Sequence, residues 1–259
     1  MKSGSLQSVN RGGVRRLLPG MAVKDGFLRH PFDLESGVRT SGLIPGRHLK
    51  SGHRHDRHNT AYFGVAPSVF RALMRRWRQS HPAAPVAETT FIDLGAGMGR
   101  AVLLASEMPF RDVVGVELHL ALVRTARKNL TGWCKAGRAL APVQIVGGDA
   151  AEFSFPAGPC VAFLFNPFGA PVMRRLLAAI SKRFAARPGQ IDLLYVNNEQ
   201  ERTLEQQRGF TRLFQGQVKR SRVDAIADHK IMTNQPDGEY ASASYEDCSI
   251  WRWVGTEGN

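Results

Sequence analysis

Residues 89–119, TTFIDLGAGMGRAVLLASEMPFRDVVGVELH, decide how the rest of the chain is read. Thr90 to Leu94 is an apolar strand, Gly95, Ala96, Gly97 and Gly99 make a glycine-rich turn, and an alanine/leucine helix follows to about Met108. A second strand, Val113 to Val116, ends on Glu117. Strand, tight turn, helix and strand in so short a span is a βαβ unit, and its crossover requires parallel strands. Glycines let the backbone turn sharply and approach a ligand where a Cβ would clash. An acid about twenty residues after such a turn sits at the carboxyl end of the next strand, within reach of ribose hydroxyls. The stretch is a nucleoside-binding half-site.

The glycine spacing narrows the nucleoside. A dinucleotide fingerprint is G-x-G-x-x-G, with a pyrophosphate on the helix N-terminus. Counted from Gly95, Arg100 occupies the third glycine's place; counted from Gly97, Val102 does. The pattern that fits is [DE]-x-G-x-G-x-G, with Asp93 as its acid. This stretch resembles motif I of the class I S-adenosylmethionine-dependent methyltransferases. The resemblance implies an α/β fold with a seven-stranded, mostly parallel, doubly wound sheet and a final antiparallel hairpin. It also implies S-adenosyl-L-methionine as cofactor, with Asp93 near its methionine end and Glu117 on its ribose.

Two later stretches extend the pattern. Residues 143–147 read as a strand followed by Gly148 and Asp149, and an acid there matches the family position that binds the adenine amine; it is equally placed to cap the short turn after it. Residues 160–166, CVAFLFN, are nearly all apolar, as a strand buried on both faces requires, and run into Asn166-Pro167-Phe168-Gly169. This tetrad resembles, with one proline instead of two, the [DN]-P-P-[YF] motif of amino-methylating enzymes. That likeness implies that Asn166, Pro167 and Phe168 face the methyl acceptor, Asn166 also bordering the cofactor. An Asn carbonyl can hold an N–H while leaving the nitrogen lone pair aimed at the methyl carbon.

Before the decisive stretch, Pro67 and Ser68 start a helix with Val69, Phe70, Leu73, Met74 and Trp77 on one face and arginines on the other. The segment ahead of it, Asn59, Thr60 and Tyr62, is expected over the cofactor cleft, with Tyr62 as part of a lid or as a buried aromatic. Residues 1–59 lack sustained periodicity and read as a basic, loop-rich arm; residues 60–259 read as the methyltransferase domain. DLESGVRTSG (33–42) followed by the Asn-Thr-Ala-Tyr segment resembles a subgroup of bacterial methyltransferases of unassigned substrate. His48, His53, His55 and His58 crowd one loop, yet Arg47, Lys50, Arg54 and Arg57 between them would repel a cation, so no metal site is expected. After Asn166 the chain predicts a helix over 170–185, a strand over 191–196, a short helix, a strand over 211–218 and a last strand over 246–254. The polar stretch 219–244 is expected to be a substrate-facing insertion or a flap.

Charge is unevenly placed: residues 1–80 carry 15 Lys/Arg against 4 Asp/Glu, leaving 20 against 18 for the remainder of a chain of net +13. The basic part could meet nucleic-acid phosphates or an acidic protein. No run approaches the ~18 apolar residues of a membrane span, so no membrane partner is expected. Cys134, Cys160 and Cys248 have no C-x-x-C spacing, and a reducing cytoplasm is the expected location. The reading is methyl transfer, most simply to nitrogen, with protein, RNA or small molecule open as the acceptor. The alternative is a nucleic-acid-binding protein built on a catalytically inactive methyltransferase-like scaffold.

Overall fold

A computed structural model of the chain describes residues 23–24, 27–234 and 242–256. The short strands β1 (Val23–Lys24) and β2 (Phe27–Leu28) pair, followed by helix α1 (Pro31–Ser36). Strands β3 (Leu43–Ile44) and β4 (Tyr62–Phe63) form a second small ribbon, and helix α2 (Pro67–Gln79) leads into the main sheet. In order along the chain this domain then has β5 (Thr90–Leu94), α3 (Arg100–Ser106), β6 (Asp112–Glu117), α4 (Leu120–Lys135), β7 (Val143–Gly147) and β8 (Cys160–Phe165). It finishes with α5 (Ala170–Arg183), β9 (Ile191–Val196), α6 (Glu201–Glu205), β10 (Phe210–Lys219), α7 (Arg222–Thr233) and β11 (Tyr245–Trp253).

The seven-stranded sheet has the order β10-β11-β9-β8-β5-β6-β7. Strands β5 to β9 are parallel, and β10 and β11 close it as an antiparallel hairpin, with β11 also antiparallel to β9. This is the fold class expected from the sequence. Alternation along the central strands supplies both faces. Phe91 and Phe163 face α2, where Phe70 meets both rings edge-on at 5.9 and 5.4 Å. Ile92, Leu94, Ala162 and Leu164 face α5 and its Met173, Leu176, Leu177 and Ile180. With both faces covered, β5 and β8 can be apolar at nearly every position, and the one acid, Asp93, falls near the carboxyl end of β5.

Two regions differ from the sequence reading or sharpen it. The 219–244 stretch is not a flap across its described part: α7 docks Ala227 and Ile231 against Leu28 and Phe63, with Asp228 fully buried. Its polar look is deceptive because part of its buried face is acidic. Residues 235–241 lie outside the described residues, as does most of the basic leader. Residues 30–59 are tied to the domain by polar contacts. Asp33, fully buried, accepts from the backbone and hydroxyls of Thr40 and Ser41 and pairs with Arg100 at 3.7 Å.

Candidate functional site

A cleft with about 900 Å³ of open space, part of it continuous with solvent, lies beyond the carboxyl ends of β5, β6 and β8. Ligands of open α/β sheets bind there. Its floor is the glycine turn. Gly95 and Gly97 have φ of +88° and +56°, and each is also pinned by a neighbour. A Cβ on Gly95 would strike the Pro167 ring, and one on Gly97 would strike the ring of Tyr62. Tyr62 is thus a buried wall pressed onto the turn, its hydroxyl donating to the Thr40 carbonyl at 2.7 Å.

Two acids flank this turn. Glu117 accepts from the Gly97 N–H at 2.8 Å and the His119 N–H at 2.7 Å, which fixes its carboxylate against the loop. Burial raises its pKa, and those backbone donors offset part of the rise. Asp93, 4% exposed, lines the same cleft, and no hydrogen bond or cation among the described residues engages its carboxylate. Burial and then repulsion from Glu117 push it up to about 8. The turn therefore presents negative charge, or the capacity for it, with no internal cation to balance it.

At the far end, Asp149 caps a short 3₁₀ turn by accepting from the Ala151 N–H at 2.9 Å. Its other oxygen lies 2.7 Å from His55 Nδ1. His55 Nε2 lies 3.0 Å from an Arg175 guanidinium nitrogen. Because a guanidinium only donates, Nε2 must accept, and the ring proton is assigned to Nδ1; Nδ1 and the nearby Asp149 oxygen are close in space but do not form a hydrogen bond. His53, His55 and Asp149 offer ligand atoms within 4.8 Å of one another. A metal there would need the Nδ1 lone pair that this arrangement protonates, and Arg175 and Arg54 stand beside it. The cluster is better described as an electrostatic contact that places the 51–59 loop against Asp149.

Residues 46–63 form a strap over the cleft. The Gly169 N–H donates to the His58 carbonyl at 2.9 Å, Asn59 bridges Phe168 in antiparallel fashion, and the Thr60 hydroxyl donates to the Asn166 carbonyl. Of the residues singled out in the sequence, Tyr62, Asp93, Gly95, Ala96, Gly97, Glu117, Asp149, Pro167 and Phe168 line the cleft together. Gly99 serves as the left-handed N-cap of α3 and sits off the wall. Asn166, at φ +39°, also sits behind the wall: its side-chain carbonyl accepts from the Tyr195 hydroxyl at 3.3 Å and its backbone carbonyl is taken by Thr60. Thr60 lies over the cleft as expected, whereas His55 and Arg100 were missed as site-building residues. Of these two only His55 had a signal, its place in the histidine-rich loop.

No family model matches the chain, and no curated protein matches it. Among solved structures it is similar to TrmN from Thermus thermophilus, at 16% identity and a TM-score of 0.48, over 73% of this chain and 49% of that one. It is also similar to an RNA methyltransferase from Salinibacter ruber in complex with S-adenosyl-L-homocysteine, at 17% identity and a TM-score of 0.40, over 73% and 93%. A third is precorrin-6y C5,15-methyltransferase from Geobacter metallireducens, at 17% identity and a TM-score of 0.45, over 70% and 87%. Likenesses of this degree leave the cleft's ligand to be argued from its own residues. Among the described residues no helix is long and apolar enough to cross a membrane.

Proposed function

We propose that this protein is an S-adenosylmethionine-dependent methyltransferase acting on a nitrogen acceptor. The observation that carries the reading is Asp93: a buried carboxyl with no partner, beside a second buried acid, on a glycine turn at the sheet's ligand-binding edge. Such a floor repels a pyrophosphate and suits a nucleoside that is cationic and rich in hydroxyls. S-adenosylmethionine is that kind of molecule, and it supplies an activated methyl group on a sulfonium. Asp93 would hold its positively charged methionine end and Glu117 its ribose hydroxyls. Asp149, oriented by the Ala151 N–H and lying beside His55, would face the adenine amine.

The residues around the cleft position and exclude water; none needs to act as a strong base. Pro167 and Phe168 put an apolar edge beside the glycine turn, which shields the reacting atoms. Asn166, behind that wall, holds the Pro167-Phe168 turn in place through its bonds to Tyr195 and Thr60. Nitrogen as the acceptor atom rests on the likeness of this Asn-Pro-Phe turn to the motif of amino-methylating enzymes.

The test is calorimetric titration of the full chain with S-adenosylhomocysteine, with NADH in parallel. Micromolar binding of the first alone is expected, and Glu117→Ala should weaken it with the fold retained. NADH binding without S-adenosylhomocysteine binding would refute the reading. With a labelled methyl donor and cell extract, Asn166→Ala should slow transfer while sparing cofactor affinity. Unchanged transfer would remove Asn166 from the acceptor site.

A further inference from the structure

A second depression, with about 1540 Å³ of open space, runs between α4 and residues 37–41, away from the cofactor floor. Four cations line it: Arg29 and Arg39 from the segment around α1, Arg124 and Lys128 from successive turns of α4. The acid among its described lining residues is Asp33, which is fully buried and already matched by Arg100, Thr40 and Ser41. Arg124 and Lys128 are exposed, and among the described residues no hydrogen bond or ion pair engages either. The Nη2 of Arg29 donates to the carbonyls of Asp33 and Val38, leaving its buried Nε without a partner. Arg124 and Lys128 therefore keep their positive charge facing outward from the groove.

Its walls are rigidly joined to the cofactor site. Asn129 accepts from the Arg39 N–H at 2.8 Å and donates to the carbonyls of Arg39, at 2.7 Å, and of Met98 in the glycine turn, at 2.9 Å. On the first turn of α4, Ala121 lines the groove and Leu122 the cofactor cleft. A chain with regularly spaced negative charges could lie in the groove and put one unit over the cleft.

We propose that this groove holds the phosphodiester backbone of single-stranded RNA, one nucleotide of which is the methyl acceptor; the acceptor clause rests on the methyltransferase reading above. Several cations along one groove match a repeating phosphate better than a single anion does. A single strand fits because its bases can be splayed out into a cleft, whereas duplex bases are stacked and paired.

The experiment measures anisotropy of a fluorescein-labelled 20-nucleotide mixed-sequence RNA with the full chain, from low to high KCl. With up to four phosphate contacts at ~0.7 each, the slope of log K against log salt should be about −3. Arg124→Gln combined with Lys128→Gln should make it shallower by about 1.4, which corresponds to roughly 25-fold weaker binding at 0.1 M salt if the curves meet near 1 M. S-adenosylhomocysteine affinity of that variant should be unchanged. No RNA binding, or a variant with the same slope and affinity, would overturn the proposal, the latter by leaving the binding to other basic segments. Competition by polyglutamate as effective as by RNA would point to an acidic protein partner instead and also overturn it, as would tighter binding of duplex DNA. RNA binding by a protein that does not bind S-adenosylhomocysteine would overturn the acceptor clause alone, so the two readings fail separately.

Discussion

If Asp93 holds the cationic end of the cofactor, cofactor binding must move a proton. Asp93 titrates at about 8 without ligand, because it is buried and Glu117 lies beside it. At pH 7 about nine in ten molecules then carry the proton, by simple titration. A cation placed against the carboxylate favours its ionised form and pulls the pKa well below 7. Binding at pH 7 should therefore release roughly 0.9 proton per cofactor, falling to roughly half a proton at pH 8. Affinity should rise about tenfold between pH 6 and pH 7 and level off near 8, since each unit below the pKa halts one more decade of ionisation.

The assay is titration calorimetry in two buffers of different ionisation enthalpy, whose difference in apparent heat gives the protons released. Asp93→Asn should abolish the release and flatten the pH dependence. The unliganded protein supplies a second readout with a definite sign. A carboxyl whose folded pKa lies above its unfolded value of 3.8 costs stability as pH rises between the two, so stability is lost from about pH 4 to pH 8. Asp93→Asn should then raise the melting temperature at pH 8 and leave it nearly unchanged at pH 4. Proton release near zero at pH 7 in a protein that binds the cofactor would refute the reasoning, because the carboxylate would already be ionised or would not meet the ligand.

Two further substitutions probe how the cleft is built. Gly97→Ala puts a methyl group into the Tyr62 ring at a left-handed position, and the loss of S-adenosylhomocysteine affinity should be tenfold or more; adding Tyr62→Ala should restore part of it. An unaffected single variant would mean that the turn does not touch the ligand. His55→Ala removes the imidazole that lies 2.7 Å from the Asp149 carboxylate and links it to Arg175, and it should weaken cofactor binding a few-fold in calorimetry. No loss would detach the 51–59 loop from the adenine end.

The parallel core was legible because its physics is local. A strand buried on both faces must be apolar, a helix over it must repeat every three to four residues, and the sharp turn between them needs glycine. The N-terminal segment and α7 obey a different rule. Asp33 organises residues 33–41 through its carboxylate, and α7 buries Asp224 and Asp228 beside His30 and Arg220. A helix whose buried face carries two acids has no apolar stripe to find, and a loop held by one buried carboxylate shows no period. Hydrophobic patterning reads both as solvent-facing although both are packed.

The site was legible where a single residue closes a strand and illegible where two distant segments meet each other. Asp93, Glu117 and Asp149 each end or follow a strand, so spacing alone finds them; that His55 faces Asp149 and Thr60 faces Asn166 depends on how the strap crosses the sheet edge. The structure adds what spacing cannot, a comparison among buried acids. Asp192 has Arg252 and the Trp77 indole, Glu246 has Arg220, Asp224 has the Ser68 N–H, and Glu117 has two backbone donors. Asp228 lies within 3.6 Å of Arg220, and Asp33 has Arg100 with Thr40 and Ser41. Asp93 alone among the described buried acids has neither cation nor donor, and it alone faces the cleft without a partner. The fold sets a cation or a donor beside each of the other described buried carboxylates and leaves Asp93 without either, which is the gap that the cationic end of the proposed cofactor would fill.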